Sequence, residues 1–414
     1  MIDINTSKQN TSKKSTATKV SSGRMACFLP FLSGGGAERA MIHLAEGFAD
    51  SGWCVDLVVA QAIGAYASQL PAKINLVNLE ARSPLLLNKT LALAKYLRSE
   101  QPAVLLTTLD IMNATAWAQG LSGVSTHMVM IVQTHLSQQF RDRHSPLVQR
   151  LRWQMVKQFY PLADRIVAVS QGVADDITAM TGIPSEQIRV IYNPVVRPNL
   201  AKRASEPVEH PWFSDSHSMD DQSTDSQSTD GQIPTLLGVG RLVKQKDFGT
   251  LIRALAIVRQ QRPCRLAILG ETDEREADIK PALDRLIADL GLDQSVAFLG
   301  FVENPYKYMA RAQVFVLSSI YEGFGNVVAE ALAVGTSVVS TDCESGPAEI
   351  LNHGQFGRLA PVGDAEALAK AIVATLDQPL PPEMLRARSQ DFTIEASISQ
   401  YREVITPRLP AVAS

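Results

Sequence analysis

Two carboxylates, Glu322 and Glu330, stand eight positions apart in SSIYEGFGNVVAEALAVG. A carboxylate can accept two O–H bonds, so such a pair suits the vicinal hydroxyls of a sugar or a ribose. Glu330 lies in a segment that is apolar on nearly every side. A charge there needs a partner or a ligand, unless it simply points outward from its helix. EGFGN sets glycines beside an exposed helix start with Asn326 as the expected cap, a place where free N–H groups could receive a phosphate. Upstream, GVGRLVKQKDFGTL carries Arg241 directly after an apolar run, then Lys244 and Lys246 before Asp247, an expected N-cap. Cations converging at a strand end suit a phosphate or diphosphate, although the same residues could form a solvated turn. Near the start, LSGGGAER at 32–39 offers three successive glycines ahead of a helix. That loop could let backbone approach an anion or sugar closely, or be a plain tight turn. It is no dinucleotide fingerprint, because Arg39 stands where the third glycine belongs and Asp56 begins the second strand instead of ending it.

These loops need a scaffold, and the hydrophobic pattern describes it. Apolar runs such as MACFLPF, VDLVVA, AVLLTTL, HMVMIVQ and RIVAVS alternate with helix-length amphipathic segments in the first half. TLLGVG, CRLAILG, VAFLG, VFVLSS and SVVST do the same in the second. Near-continuous Val/Ile/Leu strands joined by helices predict parallel sheets covered on both faces, hence two doubly wound α/β domains. Ligands of such sheets bind beyond the carboxyl ends of the strands, where the three loops fall. The 414 residues, with 45% hydrophobic and 20% charged, supply two ordinary cores. Residues 1–24 read as a disordered basic tail and 201–232, with QSTD repeated at 222–225 and 227–230, as a low-complexity linker. The domains are then 25–200 and 233–380, with a helical segment at 381–414 returning toward the first. A formal charge of −3 gives no basic excess for nucleic acid, and the four scattered cysteines form no C-x-x-C pair. With no bilayer-length apolar run and no secretory h-region, the expected location is the cytoplasm.

Together these motifs resemble retaining glycosyltransferase family four, whose GT-B fold sets two Rossmann-like domains facing each other across a cleft. The Glu-x7-Glu spacing of Glu322 and Glu330 carries the resemblance, supported by GGAER at 35–39, VSQGVADDI at 169–177, IYNPV at 191–195, GRLVKQKDFGTLIRA at 240–254 and DCESGPAEIL at 342–351. The resemblance implies that Arg241 and Lys246 bind the diphosphate of a nucleotide-sugar donor, with a UDP-sugar the leading expectation. Glu330 would hold the ribose hydroxyls. Glu322 with the backbone of Gly323, Phe324 and Gly325 would position the sugar, and amides near Asn326, Val327 and Val328 would face phosphate. His135, in IVQTHLS, matches a histidine placed near the sugar, though a lone histidine can equally be structural. Gly35 and Gly36 would approach the donor across the cleft.

The implied reaction breaks the anomeric C–O bond with retention, with Arg241, Lys246 and helix-end amides stabilising the departing diphosphate. The sequence has no D-x-D triplet, so neither a metal nor any other cofactor is expected. A nucleotide-sugar epimerase of similar architecture and an inactive sugar-nucleotide-binding protein are the rival readings. GGAER with DCESGP resembles members that build cell-envelope polysaccharide, lipopolysaccharide or lipid-linked oligosaccharide, which implies a glycan or polyprenyl-linked glycan acceptor. SPLVQRLRWQMVKQFYP at 145–161 predicts a helix with Leu147, Leu151, Met155 and Phe159 on one face and Arg150, Arg152 and Lys157 elsewhere. Such a helix could lie on the anionic inner face of the plasma membrane or pack on the sheet.

Overall fold

The computed structural model describes residues 23–32, 35–64, 66, 70–81, 86–108, 112–143, 145–213 and 233–406. Most of the expected tail, all of the QSTD segment, Gly34 and residues 407–414 lie outside the described residues. Among the described residues the first domain holds seven strands: β1 Arg24–Leu29, β2 Cys54–Val59, β3 Asn75–Asn78, β4 Val104–Thr108, β5 His127–Val132, β6 Arg165–Ala168 and β7 Ile188–Val190. The second holds six: β8 Thr235–Val239, β9 Arg265–Leu269, β10 Val296–Phe298, β11 Val314–Leu317, β12 Ser337–Thr341 and β13 Arg358–Ala360. Every pairing is parallel, in the orders β3-β2-β1-β4-β5-β6-β7 and β10-β9-β8-β11-β12-β13. Both sheets therefore reverse direction beside their first strand, which opens a crevice at the carboxyl ends of β1/β4 and β8/β11.

The central strands are buried on both faces, as their unbroken apolar runs demand: all five residues of β4 and all four of β11 are inside. Burying side chains such as Phe28, Leu57 and Phe315 contributes about 1.5–3 kcal/mol each. The strands with no clear signal in the sequence, β3, β7 and β13, are the short outer ones NLVN, IRV and RLA, only partly buried. Their hydrogen bonds come from one neighbour each, so they need no long apolar run.

The segment between the domains is more built than its polar composition predicts. Residues Leu200–Ala204 form a short helix, and Phe213 is buried with its ring edge-on to Tyr308 at 5.2 Å. Thus 200–213 packs on the second domain, correcting the expected linker start at 201. The chain crosses back near residue 392. Helix Pro382–Ser389 sits against helix Asn326–Val334, with Arg386 Nη2 donating to Val334 O at 3.2 Å. Helix Ile394–Ile405 lies on the first domain, where His127 Nε2 meets Val404 O at 2.9 Å. The two crossings are bonded to one another: Val195 N and Val196 N both donate to Phe392 O at 2.9 Å, and Ile394 N donates to Val196 O at 3.3 Å.

Candidate functional site

The loops after β8 and β11 are tied together. Ile320 N donates to Gln245 O at 2.8 Å, Ser318 Oγ to Lys246 O at 2.8 Å, and Gln245 Nε2 to Tyr321 O at 2.8 Å. Asp247 N-caps helix Phe248–Arg259 through Thr250 N, as its position predicts. This lacing brings Lys246 Nζ to Glu322 Oε1 at 2.5 Å, where Ser319 Oγ also donates at 2.6 Å. Glu322 is buried, and the pair forms one half of the candidate site.

Glu330 forms the other half. It lies one face inward on helix Asn326–Val334 and is fully buried. Its Oε1 accepts from Arg39 Nη2, on the first turn of helix Gly36–Asp50 in the opposite domain, and from Tyr306 Oη at 3.3 Å. Its Oε2 is buried with no hydrogen-bond partner among the described residues. Burial pushes the Glu330 carboxyl above its ordinary range, opposed by Arg39, Tyr306 and Arg203. Burial works against the Arg39 charge, but Glu330, Tyr306 and Tyr66 outweigh it and hold the guanidinium protonated. The outward-facing alternative for Glu330 is thereby removed. Each of the two spaced carboxylates is held by a cation, and in one case the cation belongs to the facing domain.

Arg241 stands apart from that pair. It is half exposed, and its Nη1 lies 2.7 Å from Asp273 Oδ2. Asp273 is also gripped by Arg275, and these bonds, Arg275's foremost, hold its carboxyl well below the usual range. His135 is buried near the domain contact: Nδ1 lies 3.3 Å from Ser137 Oγ and 3.5 Å from Asp176 Oδ2, and Nε2 lies 3.2 Å from Glu344 Oε2 of the second domain.

The EGFGN loop carries more of the domain contact than its glycines suggest. Ser170 Oγ donates to Gly323 O at 2.6 Å, and Phe324 stacks on Tyr192 at 5.4 Å and meets Phe392 edge-on. Asn326 is not the cap; Gly325 is. The Asn326 side chain spans the cleft instead, donating to Gly36 O at 3.1 Å and accepting from Asn193 Nδ2 at 3.0 Å. Of the amides expected to face phosphate, that of Val328 already donates to Gly325 O at 2.8 Å, while Val327 sits on the open first turn. Gly35 caps its helix, its N–H bonded to Glu38. On the other flank, Glu349 accepts from Gln171 N at 2.7 Å and Gly172 N at 3.0 Å, capping helix Gln171–Thr181 across the interface.

Residues 34–196 match the family model described as Glycosyltransferase Family 4, and 233–378 match that described as Glycosyl transferases group 1. The two matches divide at the domain boundary of the structure and together take in about three quarters of the chain. The chain belongs to glycosyltransferase family four. A Campylobacter jejuni relative, N-acetylgalactosamine-N,N'-diacetylbacillosaminyl-diphospho-undecaprenol 4-alpha-N-acetylgalactosaminyltransferase, is 32% identical over 223 residues, 54% of this chain and 53% of its own length. The lipopolysaccharide core biosynthesis glycosyltransferase LpsE of Rhizobium meliloti is 37% identical over 174 residues, 42% of this chain and 47% of its own. The chain thus spans about half the length of these curated relatives. The fold matches that of Anabaena HepE in a complex with UDP and glucose, with a TM-score of 0.71 at 21% identity over 92% of this chain and 98% of that one. The GT-B architecture implied by the motifs is the one observed, two parallel Rossmann-like sheets across a cleft.

Arg39, Tyr306, Ser319 and Asn193 bond directly to candidate site residues, and the sequence alone assigns none of them a role. Arg39 left a signal as the residue standing in place of a third glycine, and Asn193 lies within the IYNPV motif.

Proposed function

We propose that the chain is a retaining, metal-independent hexosyltransferase that moves a sugar from a UDP-sugar to a glycan or polyprenyl-linked glycan in cell-surface polysaccharide assembly. The pairing of Lys246 with Glu322 at the β8/β11 crevice carries this reading. Sugar hydroxyls would take the carboxylate, leaving Lys246 to turn its charge to the diphosphate as the anomeric bond breaks. Arg241, at the same loop and half exposed, would exchange Asp273 for phosphate oxygen. Glu330 would hold the ribose. The acceptor would attack from the face the diphosphate leaves, its proton departing with that group. Closure of the two domains would exclude water and suppress hydrolysis. The Anabaena neighbour's UDP and glucose, and the lipid-linked and lipopolysaccharide substrates in the relatives' names, support donor and acceptor classes of this kind.

A membrane-resting acceptor also fits the helix Pro146–Phe159. Its apolar face is split: Phe159 is buried, whereas Leu147 is 79% and Leu151 62% exposed beside exposed Arg150 and Lys157. No helix among the described residues is long and apolar enough to cross a membrane. The exposed leucines and basic side chains would instead rest on an anionic surface.

The deciding experiment incubates the full chain with a panel of nucleotide sugars, with and without lipid-linked glycan acceptors. Acceptor-dependent release of UDP, with a product of unchanged anomeric configuration by proton NMR, is the expected result. Acceptor-free interconversion of the sugar would point to the epimerase, and donor binding without turnover to the inactive protein.

A further inference from the structure

The contact between Arg39 and Glu330 joins the acceptor-side domain to the deepest carboxylate of the donor-side domain. Around Glu330 the cluster has a definite asymmetry. Oε1 is doubly served, by Arg39 and by Tyr306 Oη at 3.3 Å, and Oε2 is buried and bare among the described residues. The charged or titratable groups facing Glu330 come from three elements besides its own: Arg39 from helix Gly36–Asp50, Tyr306 from helix Tyr306–Met309, and Arg203 from helix Leu200–Ala204. Tyr66 stands near the same group. Arg203 sits over the Tyr306 ring at 5.0 Å and donates to Glu303 O at 2.9 Å, which fixes that ring from behind.

A buried carboxylate left without its cation takes up a proton, and a protonated carboxyl is a poorer acceptor for two hydroxyls. An arginine whose guanidinium binds one oxygen keeps the group ionised and fixes its orientation, so the second oxygen is presented in one place. We propose that Arg39 is a positioning residue for nucleotide recognition: from the opposite domain it anchors Glu330 through Oε1, leaving Oε2 as the acceptor for the ribose 2′ and 3′ hydroxyls. This rests on the reading that Glu330 takes the ribose. Its consequence is that ribose recognition is completed only when the domains meet, because half of the anchoring comes from the facing domain.

The test measures binding of UDP and of 2′-deoxy-UDP to the full chain by calorimetry, for wild type, Arg39→Ala and Arg39→Lys. Wild type should prefer UDP by about tenfold or more, as a hydroxyl bond to a charged group warrants. Arg39→Ala should weaken UDP, leave 2′-deoxy-UDP nearly unchanged, and so erase the preference. Its UDP affinity should recover as pH rises and the unanchored carboxyl ionises, while wild type stays flat. A merely structural arginine would weaken both nucleotides alike and show no such recovery. If the alanine variant does not fold, Arg39→Lys keeps the charge without the planar fork and should cut the preference at least about threefold. An unchanged preference in the variant that folds, or tighter UDP binding by it, overturns the proposal. Wild type that binds UDP and 2′-deoxy-UDP equally overturns the ribose assignment of Glu330 and spares the donor reading. Wild type that binds neither overturns the donor reading itself.

Discussion

The carbonyl oxygen of Gln133 lies 2.0 Å from where a Cβ on Gly323 would be. The two residues belong to facing domains, so backbone touches backbone across the cleft. Gly172 makes the reciprocal contact, its would-be Cβ 2.5 Å from Glu344 O. Neither position tolerates a methyl group unless the domains separate. Overpacking of this kind costs about 1–3 kcal/mol. Gly323→Ala and Gly172→Ala should each lower kcat/KM about tenfold or more and increase the radius of gyration in small-angle scattering. Melting of each separate domain core should hardly change.

The two glutamates should divide their labour. Glu330→Ala should weaken bare UDP as well as donor, whereas Glu322→Ala should spare UDP and depress turnover. If Lys246 and Arg241 act as proposed, Lys246→Ala and Arg241→Ala would remove charge stabilisation that grows as the diphosphate departs, and kcat should fall about 100-fold or more. Activity should persist in EDTA. Full loss on chelation with rescue by Mg²⁺ would overturn the assignment of the departing charge to these cations.

His43 gives the fold an acid limit. Burial, opposed by its bond to Pro194 O at 2.7 Å and aided by the charges of Arg39, Arg197 and Arg203, depresses the imidazole to about 3. The unfolded chain takes up this proton below about pH 6.5 and the native one does not. Stability is therefore complete above about pH 6.5 and lost as pH falls toward 3. The slope from this group is about 1.4 kcal/mol per pH unit. His43→Gln, which can still donate to Pro194 O, should flatten the acid limb of a denaturant-derived stability profile by one proton.

The boundary between packed and dispensable chain should fall at Phe213. Replacing 214–231 with a short Gly/Ser segment should leave folding and UDP binding intact, since its Ser/Asp/Gln composition has little to bury. Phe213→Ala should cost about 3 kcal/mol or more in urea unfolding, because a buried ring against Tyr308 is lost.

Charge reversal on the exposed helix tests the membrane reading. Arg150, Arg152 and Lys157 changed together to Glu should release the protein from anionic vesicles at low salt and leave UDP binding unchanged. Wild type that ignores such vesicles would end that idea.

The strands that carry the site were legible because burial on both faces writes itself as unbroken Val/Ile/Leu runs. The outer strands β3 and β13 were not, since partly buried residues carry no such run. Lys246 and Glu322 were found as chemistry-bearing residues in loops. Their bond was not predictable, because it depends on lacing between loops some 76 residues apart. Asn326 illustrates the limit. Asparagine before a helix ordinarily caps it, but here a glycine takes that role and the amide is drawn to Gly36 and Asn193 of the other domain. Local chemistry proposes a use for such a side chain, and the tertiary contact decides it.

The two inter-domain passages, bonded at Val195, Val196 and Phe392, are set side by side like the knuckles of one door hinge. A lone tether would let the halves slide, twist and drift apart. Two passages fixed to each other leave chiefly a swing about the line that joins them. The lips of the cleft then travel furthest and the region beside Tyr192 and Phe392 least. In such a swing the aromatic contact of Tyr192, Phe324 and Phe392 stays seated as the pivot bearing.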